Sequence, residues 1–237
     1  MEVKLLHIYN DVMNLYGEYA NVAILEKYLT DLGHTVSVDT LSLYEDKDIS
    51  DYDFYYMGSG SESKQKLALS QLKKYTDTLK TAKEQGKVML FTGNSFELLG
   101  AKLIDAEGNE YEGLHLADFV STEGKRRIVG DALAQFNEEI LVGFINKCSK
   151  TTGIDTPLFS MKMGFGNDCE KGKEGYRYKN CFGTHLTGPI LVKNPAMLRK
   201  IAQLLVGQLD DSVRYEYMER SYQTTVDALQ KRLSEEK

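Results

Sequence analysis

Lys87-Val88-Met89-Leu90-Phe91-Thr92-Gly93-Asn94-Ser95-Phe96-Glu97-Leu98-Leu99-Gly100 is the stretch on which the fold turns. Residues 87–92 form an apolar run of strand length, and Gly93 stops it at a tight turn from which a helix is expected to start. Upstream, 63–83 reads as a helix closed by Gly86, and 53–57 as a buried strand ending in Gly58-Ser59-Gly60. Further back, 35–41 alternates like a strand. Residues 19–32 carry Val22, Leu25, Tyr28, Leu29 and Leu32 on one helical face before Gly33, and 3–9 is another short apolar strand. Strands alternating with helices of these lengths imply βαβ crossovers and a doubly wound, mostly parallel α/β sheet, whose site lies at the carboxyl ends of the strands.

The second half is patterned differently. Residues 101–146 hold short strand candidates between polar turns, which predicts antiparallel hairpins added to that sheet. Residues 167–174 form a charged loop, 176–186 a strand, and 195–207 a helix with proline near its start. From Ser212 onward the chain reads as a polar helix with sparse apolar positions at Val213, Tyr217, Tyr222, Val226, Leu229 and Leu233.

Composition narrows the classes. The 237 residues are 42% hydrophobic and 27% charged, with a net charge of −6. That balance fits a globular protein and argues against nucleic acid as a partner. No apolar run has the length of a membrane helix, so no membrane insertion is expected. Three cysteines, Cys148, Cys169 and Cys181, lack metal-ligand spacing, and the reading is a reduced, cytoplasmic protein with no metal or cofactor. Cys148 and Cys169 are expected in loops far from the turn at Gly93. His7 is read as a strand residue, and His34 and His115 as surface residues.

Three loop segments concentrate glycine and small polar residues: 10–18, 58–62 and 92–100. A strand-to-helix turn like the last is the geometry of a nucleophile elbow, and glycine-rich backbone beside it could supply N–H donors to an oxyanion. The same glycines serve equally well simply to permit tight βα turns.

In this order the three segments resemble the class I glutamine amidotransferases of the cobyric-acid-synthase type, most closely the glutaminase subunits of lipid II isoglutaminyl synthases. Met13-Asn14-Leu15-Tyr16-Gly17 is similar to the family's first loop, and Gly58-Ser59-Gly60 to its Gly-Gly-Gly oxyanion loop. Residues 92–100 align without gaps to its elbow. Arg127-Ile128-Val129-Gly130-Asp131 resembles the segment bearing its glutamine-binding arginine. Gly164-Phe165-Gly166-Asn167 and Gly183-Thr184-His185-Leu186-Thr187-Gly188-Pro189 resemble its C-terminal half. The resemblance implies an amidotransferase-like domain over residues 1–208 and a helical extension over 209–237. It also implies a Mur-ligase-like partner that would receive ammonia for amidation of peptidoglycan D-glutamate, and a small carboxylate ligand at Arg127.

The departures fall on the chemistry. Gly93 stands at the family's nucleophilic cysteine and Thr187 at its histidine; Asn94 and Ser95 replace elbow glycines, and Glu97 replaces a glutamine. Gly143-Phe144-Ile145-Asn146-Lys147 replaces a Gly-Phe-Glu-Asn-His stretch. Threonine cannot take up a proton near neutral pH. On one strand, Cys181 and His185 would lie about 13 Å apart, too far for a dyad, whereas His185 and Thr187 would share a face about 6.6 Å apart, letting His185 lean toward the site. Ser95 is expected in the first turn of the elbow helix, capping backbone N–H groups.

Three functions remain as expectations: a non-catalytic subunit that binds a partner or a ligand, a working amidotransferase subunit supplying ammonia, and a different enzyme built around Asn94, Ser95 and Glu97. The pair Gly93→Cys with Thr187→His is the smallest change expected to restore some hydrolysis.

Overall fold

The structure is a computed structural model that describes residues 1–170 and 172–235. Residue 171, in the charged loop expected at 167–174, and residues 236–237, at the end of the expected extension, lie outside the described residues.

The first half builds strands β1 (Glu2–Ile8), β2 (Thr35–Leu41), β3 (Phe54–Met57) and β4 (Val88–Thr92). Between them run helices α1 (Ala20–Asp31), α2 (Glu62–Leu72) and α3 (Thr76–Glu84). The single helix expected over 63–83 is two, joined by a 3-10 turn at Lys73–Tyr75 whose Tyr75 is buried. The second half supplies β5 (Lys102–Ile104), β6 (Glu110–Glu112), β7 (Val120–Phe136), β8 (Glu139–Thr152), β9 (Phe159–Met163), β10 (Lys173–Glu174), β11 (Tyr176–Tyr178), β12 (Cys181–Thr184) and β13 (Leu186–Thr187). It ends in α4 (Ile190–Lys193), α5 (Pro195–Val206) and α6 (Glu216–Glu235). The strand expected over 176–186 is therefore a hairpin, β11 to β12, followed by a break at His185.

The first sheet has the order β11-β12-β4-β3-β1-β2 and is parallel except for the edge strand β11. Side chains alternate between two cores as the period of a strand requires. Tyr55, Met57, Met89 and Phe91 face the layer holding α2 and α3, while Phe54, Tyr56, Val88 and Leu90 face the layer of α1, α4 and α5. The doubly wound α/β expectation holds.

Apart from β11 and β12, the later strands are not appended to this sheet as expected. They make a second one, with the order β10-β9-β7-β5-β6 and with β8 pairing β7 and β13. Its spine is the long β7–β8 hairpin, closed by an Asn137 turn with positive φ. The outward face of that hairpin is partly apolar: Leu133, Val142 and Met163 are covered by Val226 of α6, with Tyr222, Leu229 and Leu233 beside it. No helix among the described residues is long and apolar enough to cross a membrane.

His7 sits in β1 as expected and is buried against Tyr56, with its Nε2 lacking a hydrogen-bond partner. Burial holds its pKa down to about 4. The unfolded chain thus binds this proton near pH 6.5 and the folded chain only near 4, so the contribution to stability falls as pH drops through that window. Urea denaturation at pH 7 and pH 5 should show wild type losing about 2 kcal/mol more than His7→Leu over this interval.

Candidate functional site

The site is assembled where β1, β3 and β4 end. Gly93 directly follows central strand β4 with φ +62°, a conformation glycine adopts at little cost, so the turn expected at 92–93 is present. The chain then runs through a seven-residue 3-10 helix, Gly93–Leu99, rather than the α-helix the pattern suggests. Ser95 in it caps no N–H. Its buried hydroxyl donates to the carbonyls of Met57 at 2.8 Å and Thr92 at 2.9 Å, clamping the turn to β3. A hydroxyl held between two carbonyls and shielded from solvent is a poor nucleophile, which leaves the reading built around Ser95 without support.

The 58–60 loop lies against Gly93. A Cβ on Gly93 would come 2.4 Å from Ser59 Cβ, 2.5 Å from Ser59 Oγ and 3.2 Å from Thr187 Cγ2. The space a side chain would need at residue 93 is therefore filled by Ser59. Gly58 and Gly60 must be glycine for a separate reason: a Cβ there would meet Met13 O at 2.7 Å and Met13 Sδ at 2.5 Å, so the first loop packs directly onto this one.

The N–H groups of that loop are already used. Ser59 N donates to Glu18 Oε2 at 3.2 Å, and Gly60 N donates to Asn94 Oδ1 at 3.0 Å while Asn94 Nδ2 returns a bond to Gly60 O at 2.8 Å. Asn94 thus zips the elbow to the loop. Thr187, in β13, turns its methyl toward Gly93 and donates its hydroxyl to Phe144 O at 3.0 Å.

Glu18 is fully buried and receives Thr92 Oγ1, Ser59 Oγ and, through its other oxygen, Gly188 N at 3.3 Å. Burial raises its pKa, although the hydrogen bonds from Thr92, Ser59 and Gly188 pull the other way. A second buried network lies under the elbow. His185 does not lean toward Gly93. It occupies the break between β12 and β13, with Nε2 3.1 Å from Glu97 and Nδ1 3.2 Å from Glu174, and its ring against Phe96. Burial pushes the Glu97 carboxyl up, but His185, Ser149 and Gln65 outweigh it and hold the pKa below the usual range. Glu97 lines the pocket, with its charge engaged from below.

Beside the elbow is a cavity of about 210 Å³, lined by Tyr16, Ser59, Asn94, Arg127, Lys147 and Cys148 among others. Arg127 reaches it, and its guanidinium donates to Asn146 Oδ1 at 2.9 Å and to Glu62, at the start of α2. Lys147 is buried and donates to the carbonyls of Gly166 at 2.6 Å and Asn167 at 3.2 Å; burial lowers its pKa. Cys148 is not in a distant loop: it lies in β8 on this cavity, with Sγ donating to Glu62, and burial pushes its thiol up to about 12. Cys169 is in a loop, as expected, with Sγ 3.1 Å from Ser149 O. Cys181 is buried in β12. Glu18, Glu62 and Gln65 were not singled out from the sequence, and Lys147 was read only as part of the 143–147 stretch. Only Glu18 had an available signal, a carboxylate set directly after Gly17 in the first loop.

With glycine-bearing loops at the carboxyl ends of β3 and β4 and a first loop that ends in Glu18, the chain matches the CobB/CobQ-like glutamine amidotransferase domain over residues 4–195 and belongs to that family. Two relatives are more particular. The chain is homologous to GatD, a subunit of the glutamine-hydrolyzing lipid II isoglutaminyl synthase. It is 34% identical to that of Staphylococcus aureus over 194 residues, covering 81% of this chain and 80% of the relative. Identity to the GatD of Streptococcus pneumoniae is 31% over 198 residues, covering 81% and 76%. A glutamine amidotransferase from Thermotoga maritima shares the fold, with a TM-score of 0.54 at 13% identity over 99% of this chain and 97% of that one.

The packing gives a direct test. Gly93→Cys should lower stability by about 1–3 kcal/mol through overpacking on Ser59, with about 1 kcal/mol more for a side chain in left-handed backbone. Adding Ser59→Gly should relieve the overpacking but forfeit the Ser59 Oγ bond to Glu18, about 1 kcal/mol, so the pair should recover only part of the loss, as read by denaturant midpoints.

Proposed function

We propose that this chain is a GatD-like subunit that retains the amidotransferase scaffold, has lost glutamine hydrolysis, and serves a Mur-ligase-like partner as a binding subunit in amidation of peptidoglycan D-glutamate. In this reading residues 1–208 are the amidotransferase-like domain, 209–237 its helical extension, and the protein works in the cytoplasm beside its ATP-consuming partner. The observation that carries it is the filled elbow. Ser59 occupies the volume a nucleophile at residue 93 would need, and Glu18 and Asn94 hold the N–H groups that would otherwise face an oxyanion. Covalent amide hydrolysis needs a nucleophile, its base and free oxyanion donors together, and losing members of such a unit costs several orders of magnitude.

The family relationship supports a shared partner class, because the identity to GatD runs through both sheets rather than through one motif. It does not require a shared nucleophile. Gly58-Ser59-Gly60, Asn94 and Ser95 act in this reading as scaffold that keeps the loops together.

Ammonia release from glutamine should stay at buffer background for the protein alone and for the protein with a co-expressed Mur-ligase-like partner, while the two copurify. Neither Gly93→Cys nor the pair Gly93→Cys with Thr187→His should restore hydrolysis, because Ser59 and Asn94 still block the site. The fourfold change that adds Ser59→Gly and Asn94→Gly should give measurable release. Hydrolysis by the unmodified protein would overturn the reading.

The Arg127 pocket, on the same reading, takes a small carboxylate only by displacing Glu62, whose carboxylate already occupies the guanidinium. Calorimetric titration should show glutamine and glutamate binding more tightly to Glu62→Gln than to wild type, and not to Arg127→Ala.

A further inference from the structure

The long hairpin carries an irregularity with a different chemical character from the elbow. β7 and β8 pair from Val120↔Thr152 to Glu123↔Ser149 and resume at Ile128↔Lys147. Residues 124–127 therefore oppose Cys148 alone and are thrown out of the ladder. Bulges re-aim the side chains they carry. This one carries Lys125, Arg126 and Arg127 over the outer face of the hairpin, where Lys150 and Thr152 also point.

Between the bulge, that outer face and the 164–170 loop is a cavity of about 970 Å³, at the upper end of the range for small-ligand sites. Four of its lining side chains are cations, Lys125, Arg126, Arg127 and Lys150, and one is a carboxylate, Glu123. Glu123 is already neutralised by Lys66 at 2.6 Å, and Arg127 is engaged by Glu62. Lys125, Arg126 and Lys150 have no ion-pair or side-chain hydrogen-bond partner among the described residues. On a chain of net charge −6, three unpaired cations facing one concavity are a local reversal of sign. The rest of the wall mixes Thr122 and Thr152 with apolar side chains. It includes Ile128 and two exposed hydrophobic side chains, Val129 at 53% and Phe165 at 36% exposure.

We propose that this cavity binds a phosphate-bearing amphiphile, with a di- or polyphosphate head held by Lys125, Arg126 and Lys150 and an apolar body laid against Val129 and Phe165. Three unpaired monocations around one space match a multiply charged head, whereas a single carboxylate would leave most of that charge uncompensated. Arg126 adds a planar donor fork suited to phosphate oxygens, and Lys125 and Lys150 act as point charges. The apolar wall gives the body of the ligand a surface to cover, which free phosphate lacks. The site adjoins the small-carboxylate pocket, with which it shares Glu123, Arg127 and Cys148, and does not depend on the loss of hydrolysis.

The head could belong to a nucleotide or to a lipid phosphate, and three probes separate these sources. Calorimetry on the full chain would use pyrophosphate as the head alone, ATP as a head with an aromatic body, and dodecyl phosphate below its micelle concentration as a head with an aliphatic body. Binding should weaken as sodium chloride is raised, and pyrophosphate should bind more weakly than at least one of the other two. ATP as the tighter probe identifies a nucleotide, and dodecyl phosphate a lipid. The triple variant Lys125→Ala, Arg126→Ala, Lys150→Ala should weaken every probe by at least about tenfold. Thermal melting serves as the check on its fold. Phe165→Ser, a single change on an exposed loop, should weaken the amphiphiles and leave pyrophosphate unchanged. Failure of all three probes to bind, or binding that neither variant alters, would overturn the proposal.

Discussion

A single buried carboxylate holds the functional end of this protein together. Glu18 has no access to solvent, and it accepts hydrogen bonds from Thr92 at the end of β4, Ser59 in the neighbouring loop and Gly188 after β13. With Glu18 itself, these groups come from four places in the chain that are distant in sequence. An unpaired carboxylate in such surroundings would be expensive to bury, so each donor is needed, and each donor fixes one loop relative to the others. Tyr56 extends the network: its hydroxyl meets Thr92 Oγ1 at 2.9 Å and receives Asn21 Nδ2 at 2.8 Å, and Asn21 in turn accepts Leu191 N. The positions of Gly93, Ser59 and Thr187 follow from this clamp.

That rigidity bears on how the elbow came to be filled. In the resemblance to the amidotransferases, residue 93 would carry a thiol, residue 59 would be glycine and residue 94 would be glycine. Here Ser59 fills the space beside residue 93, and the side-chain amide oxygen of Asn94 accepts from Gly60 N. The substitutions compensate one another sterically and in hydrogen bonding. Glu97 and His185 make a similar pair beneath, together with Glu174 and Ser149.

Much of this was legible in the sequence, for identifiable reasons. The parallel sheet could be read because β1, β3 and β4 are short apolar runs bounded by turn residues, and the adjacency of Gly93 and 58–60 followed from the order of the loops. The second sheet was misread because β7 and β8 are long strands interrupted by a bulge, with outward faces polar except where α6 covers them, so their alternation looks like several short strands between turns. The strand over 176–186 was misread because nothing local marks the break at His185, which two carboxylates from elsewhere hold in place. Cys148 was put far from the elbow because its proximity arises from the pairing of β8 with β13, a long-range contact that no local pattern encodes. The role of Ser95 depended on a helix that closes as a 3-10 turn after seven residues.

The order of the first sheet also shapes how the chain must be assembled. β4 lies between β3, about thirty residues before it, and β12, about ninety residues after it. During synthesis from the N-terminus, β4 can pair with β3 as soon as it emerges, but its other edge stays open until every strand of the second sheet except β13 has been made. That edge belongs to Val88–Thr92, an apolar strand with no proline or charge to discourage pairing with another chain. The nascent protein thus carries an adhesive strand edge beside its functional loops for more than a third of its synthesis, and the late arrival of Cys181–Thr184 is what seals it.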